Sequence, residues 1–93
     1  MEIILEKSFL DSAERLPENT KEKLTRLAKL LETNPFHALL HTKELGRNLS
    51  GLHSFRITRD YRVIFYFENP YVIHLLKAVH RKDAYRWFYA STK

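Results

Sequence analysis

Seven of the nine residues in Tyr71-Val72-Ile73-His74-Leu75-Leu76-Lys77-Ala78-Val79 are apolar. A run this short, rich in β-branched residues and preceded by Asn69-Pro70, reads as a strand buried on both faces. Such a strand belongs inside a sheet with its faces covered. Two further strand-like runs precede it, at about 52–59 and 61–67, broken by Arg59-Asp60 and Glu68-Asn69-Pro70. With breaks that short, the three runs should pair as an antiparallel meander. Alternation gives each strand two faces. Phe55 and Ile57 point one way, and Ser54, Arg56 and Thr58 the other. Val63, Phe65 and Phe67 share a face, with Arg62, Ile64 and Tyr66 opposite. If the apolar set meets a helical layer, Arg56 and Arg62 emerge together on the uncovered face. His80 and Arg81, at the end of the third run, lie within reach of it, and Tyr85 follows on a short tail.

The first half has the other periodicity. Glu2 to Glu6 alternates weakly and reads as a short strand. Ser8 with Asp11 three residues on looks like a helix start, and that helix runs to about Leu16 before Pro17. Asn19 with Glu22 repeats the arrangement. Leu24, Leu27, Ala28 and Leu31 then recur at helical spacing until Thr33-Asn34-Pro35, where the residue before proline resists the helical region. The two helices should form an antiparallel hairpin whose leucine stripe covers one sheet face. Phe36 to His41 is irregular or a helical turn, and Asn48-Leu49-Ser50-Gly51 is a turn into the sheet. The expected fold is α+β over a single domain, 1–93. A strand and a two-helix hairpin pack on a small antiparallel sheet, with a short C-terminal helical tail.

Composition narrows the function. Ninety-three residues suffice for one core. Without cysteine there is no disulfide framework and no thiolate metal site. The i, i+4 pair His37 and His41 lacks a nearby acidic ligand pattern, so no metal is expected. The N-terminus lacks the basic and long apolar regions of a signal peptide, and no apolar run approaches the roughly 20 residues of a membrane span. The expectation is a cytoplasmic protein with no membrane partner. Charge is segregated. Residues 1–51 hold eight Lys/Arg and eight Asp/Glu, whereas residues 52–93 hold eight Lys/Arg against Asp60, Glu68 and Asp83. The net charge of +5 therefore lies on the arginine-bearing strands, the footprint of a polyanion binder or of a protein with an acidic partner.

Cleavage of RNA by its own 2′-hydroxyl needs a base, cations for the phosphorane charge and an acid for the leaving oxygen. Histidine moves protons near neutral pH, arginine clamps phosphate, and a tyrosine ring stacks on an exposed base. His80, Arg62, Arg81 and Tyr85 fit those roles, with Arg56 as a further phosphate contact. Basic-aromatic sheets also bind nucleic acid without cutting it, and Arg62 also reads as an ion-pair partner of Asp60 or Glu68.

The stretches Leu49-Ser50-Gly51 through Arg56-Ile57, Asp60-Tyr61-Arg62-Val63-Ile64-Phe65 and His80-Arg81-Lys82-Asp83-Ala84-Tyr85-Arg86 resemble the RelE/ParE superfamily of bacterial and archaeal type II toxins. The helix hairpin ahead of an antiparallel sheet agrees, so the likeness spans essentially the whole chain. The RelE branch implies a ribosome-dependent mRNA endoribonuclease without a cofactor, cutting in the decoding site and neutralised by a cognate antitoxin. Carried over by position, Arg62 is similar to the strand arginine at the scissile phosphate and Arg81 to the second phosphate-stabilising arginine. Tyr85 is similar to the C-terminal tyrosine at the cut nucleotide. His80 falls where several sister toxins place a catalytic histidine. Arg56, Arg59, Lys82, Arg86, Lys43 and Arg47 are the further RNA contacts expected. One subgroup carries two lysines where this chain has Ser54 and Arg56. A YoeB-like subgroup uses a glutamate base near Glu44, where Lys43 aligns if no gap is allowed. The base is then His80 or Glu44. Two other readings share the fold: a ParE-like toxin that binds DNA gyrase, and a catalytically degenerate module that binds nucleic acid or an antitoxin.

Overall fold

The computed structural model of the chain describes residues 1–46 and 51–84. Strand β1 (Glu2–Leu5) leads into helices α1 (Lys7–Glu14) and α2 (Glu18–Thr33), then a 3₁₀ turn at Ala38–Leu40. Strands β2 (Lys43–Glu44), β3 (Leu52–Arg56), β4 (Tyr61–Asn69) and β5 (Val72–His80) follow. They form one sheet in the order β1-β5-β4-β3-β2. The α+β class and the β3-β4-β5 meander match expectation. The sheet itself is mixed, because β1 lies parallel to β5, from Glu2 opposite Val72 to Leu5 opposite Leu75. Only strands joined by tight turns are forced antiparallel. The chain leaves β1 into the helical layer, and β1 is free of that constraint. No helix of the described residues is long and apolar enough to cross a membrane. The expected C-terminal helical tail lies outside the described residues.

Both helices cover one face of the sheet. Phe9 of α1 and Leu24, Leu27 and Leu31 of α2 pack on Phe55, Val63, Phe65, Ile73, Leu75 and Ala78. The leucine stripe is thus core, as its spacing implies. Helix starts differ from the capping pattern. Asn19 lies inside α2, which begins at Glu18 after Pro17, and the Pro17 carbonyl accepts the Lys21 N–H at 2.9 Å. Proline fixes φ near its helical value and so starts the helix without a side-chain cap. Ser8 does not cap α1 either, since its hydroxyl donates to the Leu76 carbonyl and docks the helix on β5.

A register shift divides β5. Phe65 pairs with Leu75 and Ile64 with Lys77, leaving Leu76 without a pairing partner on β4. Facing inverts across such a bulge. Ile73 and Leu75 point to the helices before it, and Ala78 does so after it. The Ala78 N–H donates to the buried Ser12 hydroxyl at 2.9 Å, and that hydroxyl donates to the Phe9 carbonyl at 3.0 Å.

On the open face His74 joins three elements. Its Nδ1 lies 2.7 Å from Glu6 Oε2, its Nε2 lies 2.6 Å from Glu68 Oε1, and its ring stacks on Tyr66 with centroids 4.6 Å apart. Carboxylates accept hydrogen bonds, so an acidic oxygen at each ring nitrogen favours the imidazolium, which alone can donate from both. The hydrogen bond to Glu6, then that to Glu68, raises the His74 pKa above 6.5. A raised folded-state pKa contributes stability that is complete below the unfolded value and is lost as pH rises through the folded value. The stability advantage of wild type over His74→Gln is therefore expected to be largest at about pH 5.5 and to shrink above neutrality, measured as the difference in thermal midpoint across pH. In the core, Leu31→Ala is expected to cost about 2–5 kcal/mol in urea unfolding, because Leu31 is fully buried between α2 and the sheet.

Candidate functional site

The face of the sheet away from the helices carries a second, smaller apolar cluster of Leu45, Ile64, Val79 and Ala84. Arg62 rises beside it, paired with Val79 on β5 and with Arg56 on β3. Next to this cluster is a recess of about 80 Å³, lined by Lys43, Ser54, Arg62 and Arg81 over Leu45, Ile64 and Ala84. Each polar side chain is placed by a different device. Lys43 comes from the edge strand β2, whose pairing sets it opposite Ser54. Arg62 is set by β4 alternation. Arg81 is fixed in the turn after β5, where its N–H donates to the Asp60 carbonyl at 2.7 Å and its Nε lies 3.6 Å from Asp60 Oδ1. That ion pair is exposed at both ends and contributes little to stability. Its effect is to orient the guanidinium. No carboxylate lines the recess among the described residues. Three cations with a buried serine hydroxyl form a site for an anion, and two guanidinium groups favour the oxygens of a phosphate.

Several expected residues sit elsewhere. His80 does not reach the arginine face, which corrects the expectation from the sequence. Val79 is the residue opposite Arg62, so alternation turns His80 to the helix side. There its ring meets Tyr61 edge-on at 5.3 Å, and its Nδ1 accepts the Lys82 N–H at 3.1 Å. Glu44, the other candidate base, pairs with His53 and turns away from the face of Lys43. Arg62 pairs with neither Asp60 nor Glu68, which hold Arg81 and His74 respectively. Arg56 stands opposite Arg62 but lines a different concavity together with Arg59. Lys82 is exposed outside the recess. Tyr85, Arg86 and Arg47 lie outside the described residues. His37 and His41 do not share a helical face. His37 Nδ1 accepts the Leu39 N–H, and His41 ends the 3₁₀ turn at a φ of 49°. His53 sits on the helix side among Phe36, Phe65 and Phe67, and its buried Nδ1 has no hydrogen-bond partner among the described residues.

Two contributors were not singled out by sequence reasoning. Ser54 is 1% exposed, and its hydroxyl has no partner among the described residues although it borders the recess. Its outward parity was visible, whereas its burial was not. The His74 clamp joins residues 68 positions apart, and no local signal announces it.

Solved structures share this architecture. A YoeB/ParE toxin from Agrobacterium tumefaciens superposes with a TM-score of 0.73 at 21% identity, covering 87% of this chain and 99% of that one. The antitoxin–toxin complex of RelB and RelE from Methanococcus jannaschii gives 0.74 at 17% identity, covering 91% and 98%. The archaeal RelE–RelB complex of Pyrococcus horikoshii OT3 gives 0.69 at 24% identity, covering 89% and 97%. No family model and no curated protein sequence matches the chain. The chain has the fold of the RelE/ParE superfamily toxins.

A lone buried hydroxyl costs about 1–3 kcal/mol relative to a bonded one. Ser54→Ala is therefore expected to leave stability unchanged or to raise it by up to about 1 kcal/mol in urea unfolding. A clear loss would mean that the hydroxyl has a partner in the folded protein.

Proposed function

We propose that this protein is the toxin of a type II toxin–antitoxin pair and acts as a ribosome-dependent mRNA endoribonuclease. The observation that carries this reading is the convergence of Arg62, Arg81 and Lys43 on one recess of the open sheet face that no carboxylate lines among the described residues. In the proposed reaction the scissile phosphate sits in that recess. The 2′-oxygen attacks phosphorus, the bond to the 5′-oxygen breaks, and a 2′,3′-cyclic phosphate and a 5′-hydroxyl result. Arg62 and Arg81 hold the non-bridging oxygens as charge builds on them, and Lys43 adds a third cation. Tyr85, next in sequence after the recess residue Ala84, takes the role at the cut nucleotide that the resemblance gives it. Neither His80 nor Glu44 lines the recess, so proton transfer rests on few protein groups. A reaction so sparsely equipped depends on external alignment of the 2′-hydroxyl with the leaving oxygen, and the ribosome supplies it. The solved RelB–RelE complexes support an antitoxin as the natural partner.

Primer extension on a defined mRNA, with and without programmed ribosomes, tests the reading. Cuts are expected only with ribosomes, and Arg62→Ala is expected to lower them by about 10²–10³-fold. His80→Ala should cost less than about tenfold, below what loss of a general acid or base removes. Rapid cutting of naked mRNA would overturn the ribosome dependence. No cuts from folded wild type would overturn the nuclease reading and favour a gyrase-directed or purely binding protein.

A further inference from the structure

The recess on the open face holds a polar side chain that the proposed reaction leaves without a role. Ser54 lies on β3 opposite Ile64 of β4 and opposite Lys43 of β2. It is 1% exposed, and its Oγ has no hydrogen-bond partner among the described residues although it borders the recess. The buried Ser12 is handled differently: its Oγ accepts the Ala78 N–H at 2.9 Å and donates to the Phe9 carbonyl at 3.0 Å. A buried hydroxyl without a partner lowers the stability of the fold, and a ligand with an acceptor placed against it recovers the loss.

What the hydroxyl lacks is an acceptor. The other polar side chains that line the recess among the described residues are Lys43, Arg62 and Arg81, and each can only donate. Leu45, Ile64 and Ala84 are apolar and offer nothing. The Ser54 hydrogen therefore points to an oxygen that a ligand supplies. The same surroundings argue against Ser54 as a nucleophile, since that role needs a base to take its proton and none lines the recess among the described residues. At about 80 Å³ the recess is far smaller than the roughly 300–1,000 Å³ of pockets that enclose a whole small molecule, so it takes a single charged group.

We propose that Ser54 is a substrate-contacting residue whose hydroxyl donates to one non-bridging oxygen of the phosphate held by Arg62 and Arg81. The inference rests on the placement of the scissile phosphate in this recess. Ser54 keeps its proton, and no bond to its Oγ forms or breaks. As the 2′-oxygen adds to phosphorus, negative charge grows on the non-bridging oxygens, and a donor already fixed beside them strengthens its hydrogen bond without reorganising. The cations attract both oxygens over some distance, whereas a hydroxyl acts only at hydrogen-bond length and in a narrow range of directions. The short serine side chain also has far less freedom than lysine or arginine. Ser54 therefore distinguishes one non-bridging oxygen from the other.

The test uses the full chain, programmed ribosomes and an mRNA carrying a phosphorothioate of single configuration, Rp or Sp, at the cut site. Sulfur in place of a non-bridging oxygen accepts hydrogen bonds poorly. Ser54→Ala removes the hydroxyl with little change of volume, and urea unfolding checks that the variant is folded. On the all-oxygen mRNA the variant is expected to cut about 10–100-fold more slowly than wild type. On one diastereomer wild type is expected to slow by a similar factor and the variant no further, bringing the two within about threefold of each other. On the other diastereomer their difference should persist. Equal cutting of the all-oxygen mRNA by wild type and Ser54→Ala, with Arg62→Ala defective, would overturn the inference and leave the nuclease reading standing. A Ser54→Ala defect undiminished on both diastereomers is the mark of a structural role and would overturn it too. Failure of the nuclease reading shows differently, as no cuts by wild type. The contact is then read by an NMR titration with inorganic phosphate at fixed ionic strength. Binding weakened about tenfold in Ser54→Ala would uphold it, and equal binding or no binding by wild type would overturn it.

Discussion

The hydrogen bond from the Ala78 N–H to the Ser12 hydroxyl marks the point at which β5 changes the direction it faces, and the open face is arranged around that change. With strict alternation from Ile73 and Leu75, Lys77 would enter the helix-covered core and Ala78 would lie outside it. An unpaired ammonium in that layer would cost several kcal/mol. The register shift sends Lys77 to the open face opposite Ile64 and turns Ala78 inward, where its small side chain admits α1. The same shift sets Val79 beside Arg62. It thereby turns His80 away from the arginines.

One sheet face then carries two electrostatic regimes. Near the β4–β5 turn, Glu6 and Glu68 neutralise His74 and tie β1, β4 and β5 together. Near the other end of β4, Arg62, Arg81 and Lys43 stand around a recess that no carboxylate lines among the described residues. Arg62 and Glu68 are six residues apart on one strand, about 20 Å at strand rise. The charges of the acidic clamp are screened over that distance and leave the cations available to a ligand. Asp60 touches the cationic end. It meets Arg81 from outside the recess, through an exposed contact that aims the side chain.

The arginine pair of β3 and β4 is divided between two concavities. Arg62 serves the recess on the open face, and Arg56, directly opposite it, serves the groove beside α2. Among the described residues β2 pairs only with His53 and Ser54 of β3, and Arg56 at the end of β3 lines a concavity together with Lys23 and Arg26 of α2. A basic surface read from composition as one patch is in fact two surfaces of different chemistry. One is small and lined by guanidinium, ammonium and hydroxyl groups. The other, of about 600 Å³, is lined by Leu27, Leu30 and Leu39 as well as by cations.

By itself, the sequence determined the elements and the sidedness of β3 and β4, because strand parity and helical spacing are local properties. Phe55, Ile57, Val63 and Phe65 face the leucine stripe, and Arg62 faces away, as alternation requires. The position of Arg81 at the end of the last strand was legible too. Only the tertiary structure decided the parallel docking of β1, the bulge in β5, the face of His80, the use of Ser8 and Glu6 in place of capping, and the gathering of Lys43 and Ser54 with the arginines. Each of these depends on which distant segment offers a partner. A buried polar or charged group is satisfied by the nearest suitable group in space, and no repeat along the chain encodes where that group will be.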